Sequence, residues 1–387
     1  MRSRAAAGAA TSSSATTRKE NHRCQYCGSS LLFIQRAFLN RNEKENAAAA
    51  SAAAASRSTS SKTTATATTT TTTTMSMVPG RPMVTKCAYI SFCACFGTYV
   101  RLYTDTIGPA SNVALQGSFL ANSIGSFALG VLASSPDRDT APDAVYAGLT
   151  VGLCGSYTTY SGWNLRVARA ALGQVSGAPS GAIVAAVAIV TSLAFFSACF
   201  VAGSDLVKGA TSRGRRLRLS GLLLGGSGGD SVGAMRGAVG MLGTLYVLLA
   251  ILLAVDSSWS RRIDWVACMF APFGALSRFF LSRKLNNRWR EGAFPVGTFV
   301  ANVLGSLVMA LVFYGTRNSS SLTTGWNNVA LKAFQAGFLG SLTTMSSFVS
   351  EVVGHRERHS PSASYVYLAA TAIAAQAPVL IIGATLK

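Results

Sequence analysis

The chain has 387 residues, 49% of them hydrophobic and 12% charged, yet 34 Lys and Arg against 14 Asp and Glu leave a formal charge of +20. The basic residues sit in short clusters between long apolar runs and in the N-terminal stretch. That distribution argues against a nucleic-acid face and fits the topology signals of a membrane protein. The eight Cys do not make a disulfide framework. Six lie in apolar runs as small hydrophobes, and Cys24 with Cys27 forms one C-x-x-C, weak support for a zinc site with only His22 beside it.

Residues 1–83 are mostly Ala, Ser and Thr with scattered Arg, and they cannot bury enough apolar surface to fold. A disordered cytosolic tail and an organellar transit peptide both fit that composition. Apolar runs of the roughly 20 residues that cross a bilayer follow. They are predicted at about 84–103, 112–134, 144–170 and 182–206, then 238–255, then 265–285, 295–314, 328–353 and 363–385. The fifth run is nearly all Leu, Val, Ala and Gly, with no polar motif to offer a site.

The last four runs echo the first four. Gly97 and Arg101 match Gly274 and Arg278, and G-S-F-L-A-N-S-I-G-S around Asn122 matches G-T-F-V-A-N-V-L-G-S around Asn302. The stretch from Gly152 to Trp163 matches that from Gly337 to Phe348 as G-x-x-G-S-x-T-T-x-S-x-aromatic. Gly weakens a helix and Ser/Thr compete for its backbone, so both copies predict a helix broken inside the membrane. In lipid such a break is tolerated only when packed in protein or lining a water-filled path. One extra crossing between two four-span units turns the second upside down. The expected fold is all-α: two inverted four-helix repeats, 84–206 and 263–387, joined across 207–262 by a basic connector and one further helix, nine spans in all.

Asn122 and Asn302 lie mid-run, and each amide offers two donor hydrogens and an acceptor, either to a neighbouring helix or to a shared site. Arg101 and Arg278 lie near run ends, where Arg snorkels to the interface or lines a mouth that attracts anions. Tyr160, Trp163 and Phe348 occupy equivalent helix faces. Their rings either pack a core or turn electropositive edges toward an anion. No Asp or Glu lies mid-run, and Asp264 and Glu351 fall at edges. A proton-coupled antiporter keeps an intramembrane carboxylate, so passive conduction fits better. No nucleophile–base pair is visible, and the three His lie outside the runs, which argues against an enzyme.

On these motifs the chain resembles the Fluc/CrcB fluoride channel family, in its fused two-repeat eukaryotic form. The likeness is best in the second repeat, from Phe294-Pro295 through Ser306 and from Gly337 through Glu351. The resemblance implies a fluoride-selective channel that passes F− down its gradient and protects the cell, working as a single-chain pseudo-dimer in lipid with no nucleic-acid partner. It implies a structural Na+ on the backbone carbonyls of Gly155, Thr158, Gly340 and Thr343. It also implies pore amides at Asn122 and Asn302, and pore aromatic positions at Tyr160, Trp163, Met345 and Phe348. A hydroxyl track falls at Tyr367 and Thr371, with only Thr191 left in the first repeat, opposite Val187. Met345 has no ring edge to present, so two unequal pores are expected. A small inverted-repeat transporter of another anion and a non-transporting scaffold are the rival readings. Positive-inside counting puts the N-terminus in the cytosol and the C-terminus outside, with the plasma membrane expected and an organellar membrane the alternative.

Overall fold

A computed structural model describes residues 81–107, 118–136, 138, 141–175, 180–213, 231–286, 294–317, 319–358 and 360–386. The low-complexity tail, the Cys24–Cys27 pair and Gly117 lie outside the described residues. The described residues are helical with no strand among them, and all fall in one packed unit. That is the expected all-α class. In hydrocarbon a helix satisfies its own backbone, so apolar runs without turn residues become helices.

Six helices are long and apolar enough to cross a membrane. They are α1 (Arg81–Ile107), α5 (Ala182–Ser212), α6 (Ser231–Val255), α7 (Trp259–Leu285), α8 (Val296–Arg317) and α11 (Pro361–Thr385). A shorter apolar helix, α2 (Ser118–Ser134), stands between α1 and the first broken segment.

The two Gly/Thr motifs break as their composition predicts, and in the same way. The first segment runs from α3 (Asp143–Ala147) through π-helical Gly148–Cys154 and one α-turn, Gly155–Tyr157, before resuming as α4 (Tyr160–Ala171). The second runs from α9 (Gly325–Ala333) through π-helical Phe334–Leu339 and Gly340–Leu342 to α10 (Met345–Arg358). The wider π-turns were not legible in the sequence. They loosen the carbonyl ladder just before each break.

Beyond each break the chain reaches across to the other repeat. Helix α4 packs on α8 and α11 as well as on α5 of its own repeat, and α10 packs on α2 and α5 as well as on α11 of its own. Glycines permit this density: a Cβ on Gly130 would overlap the Phe200 carbonyl, and one on Gly203 the Phe127 carbonyl, so α2 and α5 meet backbone to backbone. Helix α6 lies against α1 and α7. Leu249 sits with Cys95 and Cys268, and the Tyr246 hydroxyl donates to the Met269 carbonyl at 2.9 Å.

Candidate functional site

At each break the first Thr leaves helical backbone, Thr158 at φ −98°, ψ 149° and Thr343 at φ −95°, ψ 146°, and Thr159 is extended too, at φ −138°, ψ 132°. The next Thr is gripped by an asparagine. Asn122 Oδ1 accepts from the Thr159 amide at 2.9 Å, and its Nδ2 donates to the Thr159 carbonyl at 3.1 Å. Asn302 treats Thr344 identically, at 3.0 and 3.2 Å. Both side chains are fully buried. The amides therefore pin the breaks, and each retains one further N–H.

This grip changes which carbonyls are paired. In an unbroken helix the Thr159 amide would serve the Gly155 carbonyl and the Thr344 amide that of Gly340. Both amides are diverted to asparagines. The Thr158 and Thr343 carbonyls lose their helix donors likewise, because Gly162 N turns to Thr159 Oγ1 and Ser347 N to Thr344 Oγ1, each at 3.4 Å. The four carbonyls expected to hold Na+ are thus among those released from the ladder, together with those of Tyr157 and Leu342, whose helix donors Ser161 N and Ser346 N turn to Thr343 Oγ1 and Thr158 Oγ1. Around them the two breaks interlock through hydroxyls. Thr158 Oγ1 lies 2.9 Å from Ser346 Oγ, and Thr343 Oγ1 lies 2.9 Å from Ser161 Oγ. A set of released carbonyl oxygens suits a hard cation.

Arg101 and Arg278 do not stand at a mouth or at the interface. Both are buried, 2% and 3% exposed, and each guanidinium bridges the two broken segments. Arg101 donates to the Ser156 carbonyl at 2.7 Å and to the carbonyl of Ala336 in the other repeat. Arg278 donates to the Ser341 carbonyl at 3.1 Å and to that of Val151 in the other repeat at 2.9 Å. The physical reason is the π-turn: it frees the Val151 and Ala336 carbonyls, and a fixed planar fork can take two at once. Gly155 and Gly340 make room, since a Cβ at either would run into the guanidinium.

Tyr160, Trp163, Met345, Phe348 and Tyr367 come together in one cluster. Tyr160 meets Phe348 edge to face at 5.5 Å, and Phe348 meets Tyr367 at 5.3 Å. Tyr367 and Thr371 are fully buried on α11. Thr191 is not: it lies exposed on α5, its hydroxyl turned back to the Val187 carbonyl at 2.7 Å, so it lines no interior path. The hydroxyl hydrogens of Tyr367 and Thr371 are themselves committed, to Glu351 at 2.7 Å and to the Tyr367 carbonyl at 2.8 Å.

Glu351 is more than a span-edge residue. Its carboxylate also accepts from Thr298 Oγ1 at 2.6 Å and Asn286 Nδ2 at 3.2 Å, tying α10 to α8, α11 and the end of α7. The Glu that closes the second broken motif was the available signal, but its partners are far apart in sequence. Asn164 and Gln376 were also missed. They stand buried among apolar residues whose helical pattern hides them.

The two clefts differ at matching positions. The α4/α8/α11 side carries Tyr160, Asn164, Tyr367 and Gln376, all buried, whereas the α10/α2/α5 side has Met345, Val349 and Phe196 buried in the matching places and Val187 exposed on α5.

Two stretches, residues 88–204 and 265–384, match the family described as CrcB-like protein, Camphor Resistance (CrcB). The chain belongs to the CrcB-like family. It is 40% identical over 116 residues to Fluoride export protein 1 of Candida albicans, covering 28% of this chain and 29% of that one. It is 30% identical over 250 residues to Fluoride export protein 1 of Neurospora crassa, covering 58% and 44%. Fluoride-specific ion channel FluC 2 of Bacillus thuringiensis subsp. konkukian is 35% identical over 101 residues, covering 26% of this chain and 77% of the relative. The chain thus spans less than half the length of these two fungal relatives. No solved structure matches it. This CrcB-like chain, with its long apolar helices, is an integral membrane protein.

Proposed function

We propose that this CrcB-like chain is a passive, fluoride-selective channel in which one of two clefts conducts. The observation that carries the reading is the set of buried polar residues Asn164, Tyr367 and Gln376 on α4 and α11, where the matching residues of the other repeat are Val349, Val187 and Phe196, in a family whose relatives are named for fluoride export. Fluoride is small and strongly hydrated, so a dry path costs it its water. Ring edges at Tyr160 and Phe348, with the spare N–H of Asn302, replace that water in turn. An inside-negative potential of about 100 mV favours anion exit by roughly 2.3 kcal/mol per charge.

In this reading the two broken segments count as single spans. With the six long helices and α2 they make nine, and α6 inverts the second repeat relative to the first. The crossing of α4 and α10 into opposite repeats supports that plan, as does the pseudo-dimer form. Na+ bound by the carbonyls of Gly155, Thr158, Gly340 and Thr343 would supply a fixed positive charge that ties the breaks together. The N-terminus lies in the cytosol, the C-terminus outside, and the membrane is the plasma membrane.

Purified protein in liposomes, read with a fluoride electrode and with chloride as control, tests the function. Fluoride efflux without chloride efflux is expected, and equal passage of both ions overturns selectivity. Tags on the two termini test the plan: protection of both from the same side refutes nine spans.

A further inference from the structure

Several buried polar atoms without a hydrogen-bond partner fall on three helices that pack together, α4, α8 and α11. Among the described residues, Asn164 Oδ1 on α4, Ser306 Oγ on α8, and both Nε2 and Oε1 of Gln376 on α11 have none. Asn164 and Ser306 are fully buried, and Gln376 is 7% exposed. Buried polar atoms are rarely left unmatched, because desolvation without a partner is costly. We propose that Asn164, Ser306 and Gln376 form a binding station for a small, partly hydrated anion, F− carrying part of its water shell. This rests on the channel reading above and assigns the stage that follows the aromatic positions.

Helix register places the station. Asn302 and Ser306 lie four residues apart on α8, as do Tyr160 and Asn164 on α4, so Ser306 and Asn164 each stand one turn beyond a residue at a break. Asn164 Nδ2 donates to the Ala375 carbonyl at 2.9 Å, which sets the amide beside the neighbour of Gln376. Farther along, Leu165, Ala168, Met309, Ala310 and Val379 pack as an apolar cluster that also takes in Tyr314. At the edge of that cluster the Tyr314 hydroxyl donates to Gln174 Oε1 at 2.9 Å. An ion leaving the rings therefore meets a polar level before an apolar one.

The chemistry of the atoms fits that place. Ser306 Oγ–H and Gln376 Nε2–H donate, and so face the anion. Asn164 Oδ1 and Gln376 Oε1 accept, and so hold the hydrogens of the water that travels with it. The other cleft cannot do this: its matching positions are Val349 and Phe196, with Ser126 left alone.

The test uses the full chain in liposomes with a fluoride electrode, and compares Ser306→Ala with Ser126→Ala. Both serines are fully buried, both hydroxyls lack a partner, and they occupy matching positions, so packing losses should be alike. Ser306→Ala and Gln376→Leu are expected to slow fluoride efflux by about tenfold or more, the scale of one lost hydrogen bond to an ion, with the thermal midpoint in detergent unchanged. Ser126→Ala should match wild type. Wild-type efflux from Ser306→Ala overturns the station while leaving the channel intact, as do equal losses in the two serine variants. A wild-type chain that passes no fluoride overturns the channel reading and the station with it. Should Gln376→Leu give no monodisperse protein, the serine pair decides the question by itself.

Discussion

Asn302 and Thr344 are joined by two hydrogen bonds, the Thr344 amide to Oδ1 at 3.0 Å and Nδ2 to the Thr344 carbonyl at 3.2 Å. This pair holds the second break extended, and the remaining N–H is what Asn302 has left for an anion. Asn302→Asp keeps the acceptor but loses both donor roles. Like-charge repulsion at about 4 Å and an effective dielectric of about 20 is roughly 4 kcal/mol. Fluoride efflux should fall by about a thousandfold. Asn122→Asp, on the side where Met345 and Val349 stand for Tyr160 and Asn164, should cost at most about tenfold. Equal losses measured by fluoride electrode would mean that both clefts conduct.

The two threonines of the fourth helices should separate in the same assay. Thr371 is buried in the polar cleft, whereas Thr191 is exposed on α5. Thr371→Val is expected to lower efflux by about tenfold, because its hydroxyl has to turn from the Tyr367 carbonyl to the passing ion and Val has none to turn, and Thr191→Val to leave it unchanged, because its hydroxyl faces no path. Loss of flux in Thr191→Val would return that residue to a path.

Gly155→Ala drives a methyl into the Arg278 guanidinium, and Gly340→Ala does the same to Arg101. Neither arginine can swing away without giving up carbonyls in both broken segments. Overpacking of this kind costs about 1–3 kcal/mol. The thermal midpoint in detergent should drop for both. Gly209→Ala, where a Cβ meets nothing within 4 Å, should hold or raise it.

Sodium should stabilise the chain apart from any flux. Replacing Na+ with N-methylglucamine should lower the thermal midpoint, with a bound ion at a hundredfold excess over its Kd contributing about 2.7 kcal/mol. The dependence should fade in Asn122→Ala and Asn302→Ala, where Thr159 and Thr344 can return their amides to Gly155 and Gly340. A midpoint indifferent to Na+ in the wild type would remove the ion from the breaks.

The turn between α6 and α7 carries a pH signature. Arg261 donates to Asp256 at 2.6 and 2.9 Å and Ser258 N at 2.9 Å, and these hydrogen bonds hold the Asp256 carboxyl below the usual carboxylate range. A depressed folded pKa gives stability that is present above the unfolded value, near 4, and is lost as pH falls through the folded one. Asp256→Asn should therefore lower the thermal midpoint at pH 7. The gap between variant and wild type should close only well below pH 4.

The sequence by itself determined the class, the doubling and the positions of the breaks. Those depend on composition and on local backbone preference: apolar runs long enough for a bilayer, Gly beside Thr-Thr, an Asn in a small-residue frame. Asn122, Asn302, Gly155 and Gly340 were found this way because each acts on backbone within a repeated motif. What the tertiary structure decided is pairing across long separations. Arg101 looked like a span-end residue until folding set it against Ala336, and Glu351 looked like an edge carboxylate until Thr298, Asn286 and Tyr367 closed on it. Thr191 looked like a lining residue because register gives its place along a helix but not the neighbour it faces. Asn164 and Gln376 stayed hidden for the same reason: a polar residue in an apolar run declares its cost, and only packing shows which wall it stands in.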